Sequence, residues 1–470
     1  MPIITINEVE TPSLAAFDVT ENVVALPILK ARDFELKDGI ELTGNTDITD
    51  DIVDYVDLDD SPILLKSVSD LRSAIDIKTF VEGELDKSFV IAHELLSQGL
   101  MVVIKPILYP NASSMGYVIT TSTTEVDSEG RETEVVTYSL GKNTSANIPT
   151  YDEAHEIVEN AVVNNGAMEV FKDRNSFNVK FITTGGYTNA GNYKVESSEE
   201  VISDMGETIM NIAAARGDAV ALIDFREIFT SEADVQNTVA SANNLVNNSD
   251  GKYAAAFLPW CTFSSSASGS SANYDLPGSF AYLMAYANSV KTNANWFAAA
   301  GVTRGRIPGL IKPLFNVGEG LMHLLQGDTS NSDYTANIAV NPIYNAGTYG
   351  YRIWGNRTLD LPGVENTKFT NFLNVRILLC DIKKQVYHAA MRVTFEPNDD
   401  IVWINFKTLA NSLLDRMKSG RGLSWYKWTK EAIEEKAKIK ATLTIRPIEA
   451  VESFDITILL TDDEASVEEE

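Results

Sequence analysis

Apolar positions recur at gaps of three, four, three and four from Phe372 through Val375, Leu379 and Ile382 to Val386, a spacing that lays them along one stripe of a helix. Arg376, Asp381, Lys383 and Lys384 fall off that stripe, so the helix is expected to bury one side and present charge on the other. It should stop near Ala390, because Val393, Thr394 and Phe395 are β-type residues. Glu396-Pro397-Asn398-Asp399 then reads as a turn, since proline fixes φ and disfavours helix in the residue before it. A second helix is expected from an N-cap at Asn405 through Phe406, Leu409, Leu413 and Met417 to Gly420.

Earlier in the chain the period changes repeatedly. Residues 1–20 carry Ile3, Ile4, Ile6 and Val9 but little else that could form a core, which suits an extended arm. Residues 21–30 (ENVVALPILK) read as a buried strand, 67–75 as a helix capped by Ser67 or Ser69, 88–97 as a helix and 100–107 as an apolar strand. From about 109 to 195 Ser/Thr-rich alternation predicts antiparallel β structure with a hairpin turn at 127–130, taken as a surface-facing insertion. Beyond it, helical 201–215 (Ile202, Met205, Ile209, Ile212), the apolar strand 219–225, helical 234–246 and the strand 253–261 alternate, a pattern that argues for parallel strands in an α/β layer. The serine run 264–271 predicts a flexible loop, and 279–300 an alanine-rich helix. Near the end, Phe454, Ile456, Ile458 and Leu460 alternate as in a strand with one buried face. That strand either folds back on 441–445 or joins the sheet of another chain.

Composition narrows the function. At 470 residues the chain should hold two or three domains, and with 44% hydrophobic residues it should fold. A net charge of −28 repels phosphate backbones, so direct nucleic-acid binding is not expected. No apolar run approaches the roughly 20 residues needed to span a bilayer, and no basic n-region precedes Glu8 and Glu10, so a soluble, unprocessed chain is expected. The charge is unevenly spread: net −12 over residues 1–60, net −9 over 447–470 and net +6 over 372–446. Acidic ends that solvate the chain and acidic ends that meet a neighbour's basic segment both fit. Cys261 and Cys380 sit in apolar surroundings and are expected to be buried thiols.

Candidate chemistry is sparse. Gly186 and Gly191 have a phosphate-loop gap, but Asn192 and Tyr193 follow where Lys and Ser/Thr are required. The acidic run 50–60 lacks the glycine and glutamate of an EF-hand, and His93, His155, His323 and His388 show no metal spacing. No nucleophile elbow and no HEXXH occurs. Trp425, Tyr426 and Trp428 beside Lys427 and Lys430 suit packing better than nucleic-acid stacking in so acidic a chain. No catalytic, cofactor-binding or metal residues are assigned, and a catalytic group assembled from distant positions stays open on the residues alone.

Four short motifs in order, Ile353-Trp354-Gly355, Arg357-Thr358, Asn374-Val375-Arg376 and Phe395-Glu396-Pro397-Asn398, resemble contractile tail sheath proteins of phages and related injection machines, and the arms at 2–13 and 449–460 agree with that resemblance. Leu276-Pro277-Gly278-Ser279 departs from the Pro-Pro-Ser-Gly run often found in that family. The resemblance implies a multidomain α/β (α+β) fold with an inner α/β domain formed by both chain ends and an outer α/β domain bearing the β-rich insertion. The implied map is an arm at 1–20, outer domains at 21–349 with the insertion at about 109–195, an inner domain at 350–448, and a C-terminal arm and acidic tail at 449–470. The implied function is a virion structural protein, or the matching part of an injection system, that polymerises helically around an inner tube and contracts to drive it through a target envelope. Ile4, Ile6, Phe454, Ile456, Ile458 and Leu460 would exchange strands between subunits, and Arg376, Lys383 and Lys384 would meet the tube or a neighbour. The implied partners are other sheath subunits, the tail tube, baseplate and tail-terminator proteins, with no cofactor, in a tail assembled in the host bacterial cytoplasm. Two other readings stay open on the residues alone: an α/β hydrolase or transferase without a recognisable motif, and a surface adhesin.

Overall fold

A computed structural model describes residues 21–31, 34–37, 53–55, 60–75, 80–81, 84–109, 117–126, 132–141, 150–196, 199–242, 245, 250–326, 338–360, 369–431, 439–448 and 450. Their centre is an eight-stranded sheet. β1 (Val23–Ala31), β2 (Ile63–Leu65), β3 (Met101–Tyr109), β4 (Phe181–Ile182), β5 (Val220–Asp224), β6 (Ala254–Leu258), β7 (Val340–Asn345) and β8 (Tyr351–Ile353) lie in the order β8-β7-β6-β5-β4-β1-β3-β2. The six inner strands are parallel, and β2 and β8 close the two edges antiparallel.

Each strand's composition explains its place. β5 (VALID) and β6 (AAAFL) are buried along their whole length, as strands covered by helices on both faces must be. β1 divides its side chains by alternation, sending Val23, Ala25 and Leu29 into one layer and Val24, Leu26 and Ile28 into the other. The first layer is built by α3 (Tyr151–Glu159), α4 (Met205–Arg216) and α5 (Glu232–Ser241); the second by α1 (Val68–Ala74), α2 (Lys87–Ser97), α6 (Gly278–Val290) and part of α7 (Leu373–Val393). On α6, Tyr282 stacks on Phe257 at 4.4 Å and Tyr286 meets Phe181 edge-on at 5.0 Å. Such pairs are worth about 0.5–1.5 kcal/mol each beyond their buried area.

A smaller C-terminal unit leans on the second layer. α7, α8 (Asp400–Ser419) and the antiparallel hairpin of β9 (Leu423–Glu431) and β10 (Lys440–Pro447) enclose a separate core of Leu378, Ile382, Leu413, Leu414, Met417 and Leu423. Trp296, from the segment after α6, completes that core and donates its indole N–H to the Gly420 carbonyl at 3.0 Å. A side chain at Gly420 would start 2.6 Å from the Trp296 ring, so the approach requires glycine.

The capped helix at Ser67, the strands at 21–30, 100–107 and 219–225 and the parallel order all appear where the residue pattern put them. Other expectations need correction. The boundary at 349/350 falls inside the sheet, between the paired β7 and β8, and α7 packs Leu373, Ile377 and Cys380 against the same sheet. The insertion is smaller than 109–195: a hairpin pairs 117–126 with 132–141, but α3, buried Phe171 and the central strand β4 belong to the sheet unit. Ile202 lies in a short strand, 199–202, before α4, and α6 ends at Val290 rather than near 300. The serine run is the turn of a paired hairpin, 261–265 with 272–276. α8 starts at Asp400, five residues before the expected cap, because the Asp399 carboxylate accepts from the Val402 N–H at 2.9 Å and satisfies the first turn.

Candidate assembly site

α7 is the element from which contact residues were expected, and it is buried on far more than one stripe. Arg376 is 3% exposed, with its guanidinium 4.5 Å above the Tyr253 ring. Lys383 donates to the Gly217 carbonyl and the Tyr253 hydroxyl, each at 2.9 Å, and so places a cation at the C-terminus of α4, where the helix dipole favours it. Lys384 is 2% exposed and donates to the Val179 carbonyl at 2.7 Å. Burial, with Lys180 close by, pushes its ammonium down to about 8. Of the three residues named from sequence as tube or neighbour contacts, Arg376 and Lys384 are therefore buried in their own subunit, while Lys383 stays exposed although its ammonium bonds within the subunit. Helical spacing does place them off the apolar stripe, but that side of α7 abuts β4, α4 and the segment at Tyr253.

An ion pair deepens the attachment. Lys180 Nζ, 1% exposed, lies 3.0 Å from Asp381 Oδ1, and Asn295 donates to Asp381 Oδ2 at 2.7 Å. Lys180 also donates to Asn22 Oδ1 at 3.0 Å, which accepts from the Tyr286 hydroxyl at 2.9 Å. The network ties α7 to the entrance of β1, to β4 and to α6.

The large apolar residues that α7 and α8 leave exposed lie at their far end. Met391 (50% exposed), Phe395 (102%), Ile401 (65%) and Ile404 (55%) surround the turn between the two helices, and Phe395 adopts a left-handed φ of 73°. An aromatic residue held there costs on the order of 1 kcal/mol. Sequence reading missed this group. The available signal was an acidic, proline-bearing turn flanked on both sides by apolar residues.

The β9–β10 hairpin supplies the second open surface. Tyr426, Trp428, Leu443 and Ile445 pack toward α8 and the third core, where Trp428 donates to Asn411 Oδ1 at 2.9 Å and meets Trp403 and Phe406 edge-on. Trp425, Lys427, Thr442, Thr444 and Arg446 point outward. Among the described residues no third strand joins either β9 or β10. Each outer edge therefore offers a row of main-chain donors and acceptors to another strand.

The crevice where doubly wound sheets hold ligands is, by contrast, packed. The winding reverses between β1 and β4, and Gly185 and Gly186 follow β4 there. A Cβ on Gly185 would sit 2.4 Å from Ser88 Oγ and one on Gly186 2.2 Å from the Lys87 Cβ, so the start of α2 occupies the space a phosphate would take.

No protein-family profile matches the chain. Over 200 residues, 41% of its length, the chain is 21% identical to the tail sheath protein of Vibrio phage KVP40, and the match spans 27% of that protein, about a quarter of it. A chain of the PVC sheath complex of an extracellular contractile injection system, in its contracted state, superposes with a TM-score of 0.55 at 15% identity, covering 99% of this chain and 98% of the other. The chain has the sheath-subunit fold. A chain of the anti-feeding prophage (AFP) baseplate superposes with a TM-score of 0.52 at 13% identity over 98% and 99%. On this sheath fold, the strand-exchange residues named from sequence, Ile4, Ile6, Phe454, Ile456, Ile458 and Leu460, lie outside the described residues, as does most of the acidic run 50–60. Both cysteines are free and buried, and burial pushes the Cys380 thiol up to about 11.

Proposed function

We propose that this chain is the repeating subunit of a contractile sheath, which polymerises helically around an inner tube and shortens to drive the tube through a target envelope. The observation that supports it most is the match from end to end with a chain of a contracted sheath complex. The open β9–β10 hairpin fits the reading, because a neighbour's terminal strand, 454–460, could add to its edge through main-chain hydrogen bonds. Contacts of this kind are heterologous and need not close, and so they generate a helix. The apolar tip at Met391, Phe395, Ile401 and Ile404 is the surface we assign to the tube, in place of the buried Arg376 and Lys384.

The role is structural, and no hydrolysis is required. Contraction draws on the free-energy difference between two packings of the same subunits. Because the Lys180–Asp381 network pins α7 to the sheet, the sheet unit and α7 move as one body and the repacking occurs between subunits. The other partners are the baseplate and terminator proteins at the two ends of a tail assembled in the bacterial cytoplasm. Negative-stain microscopy of the purified chain tests the reading. Striated hollow tubes are expected, and persistent small particles with enzymatic turnover or surface adhesion would contradict it.

A further inference from the structure

A cleft of about 490 Å³ opens between the sheet unit and the C-terminal unit. Trp296 and Trp354 form its apolar walls, Arg304 and Arg421 supply its charge, and Ile448 and Ala450 lie along it. Arg304 is fixed by donating Nε to the Ala298 carbonyl at 2.9 Å and by lying 5.2 Å over the Phe297 ring. Among the described residues the lining contains two guanidinium groups and no carboxylate.

Strand direction relates this cleft to the hairpin. β9 begins two residues after Arg421 and runs away from the cleft, whereas β10 returns to it and ends at Pro447. A strand laid antiparallel on the outer edge of β9 would therefore run toward the cleft, and the residues after that strand would arrive at Arg421. We infer that the cleft receives the acidic carboxy-terminal tail, residues 461–470, of a neighbouring copy of this chain. The inference rests on the sheath reading and on donation of 454–460. The tail, TDDEASVEEE, carries six carboxylates and no Lys or Arg, which matches the cations of the cleft.

A subunit's own strand 454–460 does not lead into the cleft this way. If 454–460 folds back on β10, it runs away from the cleft and leaves residue 461 about 20 Å distant, at roughly 3.3 Å per residue. To run antiparallel on its own β9 instead, the chain would first have to travel that same 20 Å and cross two strand spacings of about 4.8 Å. Ala450 already lines the cleft, and the four steps from it to Phe454 span at most about 14 Å. A covalent link between copies, as opposed to one within a single chain, therefore distinguishes a donated tail from a subunit's own.

The test uses the full chain with Ala300→Cys, which lines the cleft, and Ala465→Cys in the tail, the native Cys261 and Cys380 being buried. Tubes oxidised in place should give a ladder of covalent dimers and higher species on a non-reducing gel, absent from either single variant. Arg304→Glu with Arg421→Glu should remove most of that ladder, and adding Asp462→Lys, Asp463→Lys and Glu464→Lys should restore it. Tubes that give no cross-link, or one confined to the monomer band, overturn the inference while leaving the sheath reading intact. Should the cysteine variants fail to assemble, truncation after Leu460 decides instead: tubes whose assembly rate has lost much of its salt dependence support the seat, and tubes with unchanged salt dependence overturn it. A parent chain that forms no tubes overturns the sheath reading itself, and this inference with it.

Discussion

Replacing Asp224 by Asn should abolish a pH dependence that the fold imposes on its own centre. Asp224 ends β5, wholly buried, with Oδ1 accepting from the Ser279 N–H at the start of α6 at 2.8 Å. Its Oδ2 has no hydrogen-bond partner. Burial pushes the carboxyl up from 3.8 to about 7, outweighing the bond from Ser279, which pulls the other way. Between those two values the native state holds a proton that the unfolded chain has released. This contribution is therefore absent below about pH 4, becomes increasingly destabilising as pH rises to about 7, and is complete above it. A gap of about three pH units at about 1.4 kcal/mol each makes the cost on the order of 4 kcal/mol at pH 8. Asn keeps the acceptor for Ser279 but sets an amide N–H where Oδ2 stands, at a cost of about 1–3 kcal/mol if it stays unpaired. The variant should accordingly be more stable than the parent by about 1–3 kcal/mol at pH 8, and within about 1 kcal/mol of it at pH 5, where both side chains are neutral. Urea unfolding followed by tryptophan fluorescence at pH 5, 6, 7 and 8 measures the difference, in which the other carboxyls, Asp86 at about 6 among them, cancel. A parent-minus-variant difference that stays flat across this range would refute the reasoning.

Three further outcomes follow from the packing. Lys180→Met or Asp381→Asn alone should each cost about 3–5 kcal/mol in urea unfolding, by stranding a buried charge, whereas the double variant should recover much of that loss; equal and additive costs would argue against a coupled pair. Replacing the 117–141 hairpin by a short turn should leave unfolding and tube formation intact, because loops outside the core tolerate such changes, while deleting 109–195 should abolish folding through loss of β4. Assembly should slow as ionic strength rises toward 1 M, where the screening length falls to about 3 Å, since acidic ends at net −12 and −9 face a segment at net +6; rates that stay flat or increase would remove electrostatics from the assembly step.

Periodicity revealed what one-sided or wholly apolar burial encodes. β1, β3, β5 and α2 could be read because their apolar residues recur without interruption, and the alternation of helix and strand gave the parallel sheet. β4 was not legible: two residues between polar neighbours carry no period, and its strand character comes from pairing with β1 and β5. The same limit hid the start of α8, where Ile401-Val402-Trp403-Ile404 has β-type composition and only the cap at Asp399 selects helix. The larger miss concerns α7. Its spacing separates a stripe from a charged side correctly, yet spacing does not say what covers the charged side. Arg376, Lys383 and Lys384 find carbonyls and a tyrosine contributed by residues up to 205 positions away. Exposed contacts were therefore sought on the side of α7 that holds the subunit together, while the apolar tip and the pairing of 423–431 with 440–447 went unnoticed.

Strand donation links subunits in the proposed sheath, and truncation after Val451 removes the donated strand and tail while sparing every buried residue of the three cores. Side-by-side electron microscopy of the full and truncated chains, with thermal unfolding of each, is the most direct measurement. The full chain should form striated tubes, and the truncated chain should remain a monomer that unfolds within a few degrees of the parent monomer. Tubes from the truncated chain, or a truncated chain that does not fold, would place residues 452–470 inside their own subunit and contradict strand exchange as the link between copies.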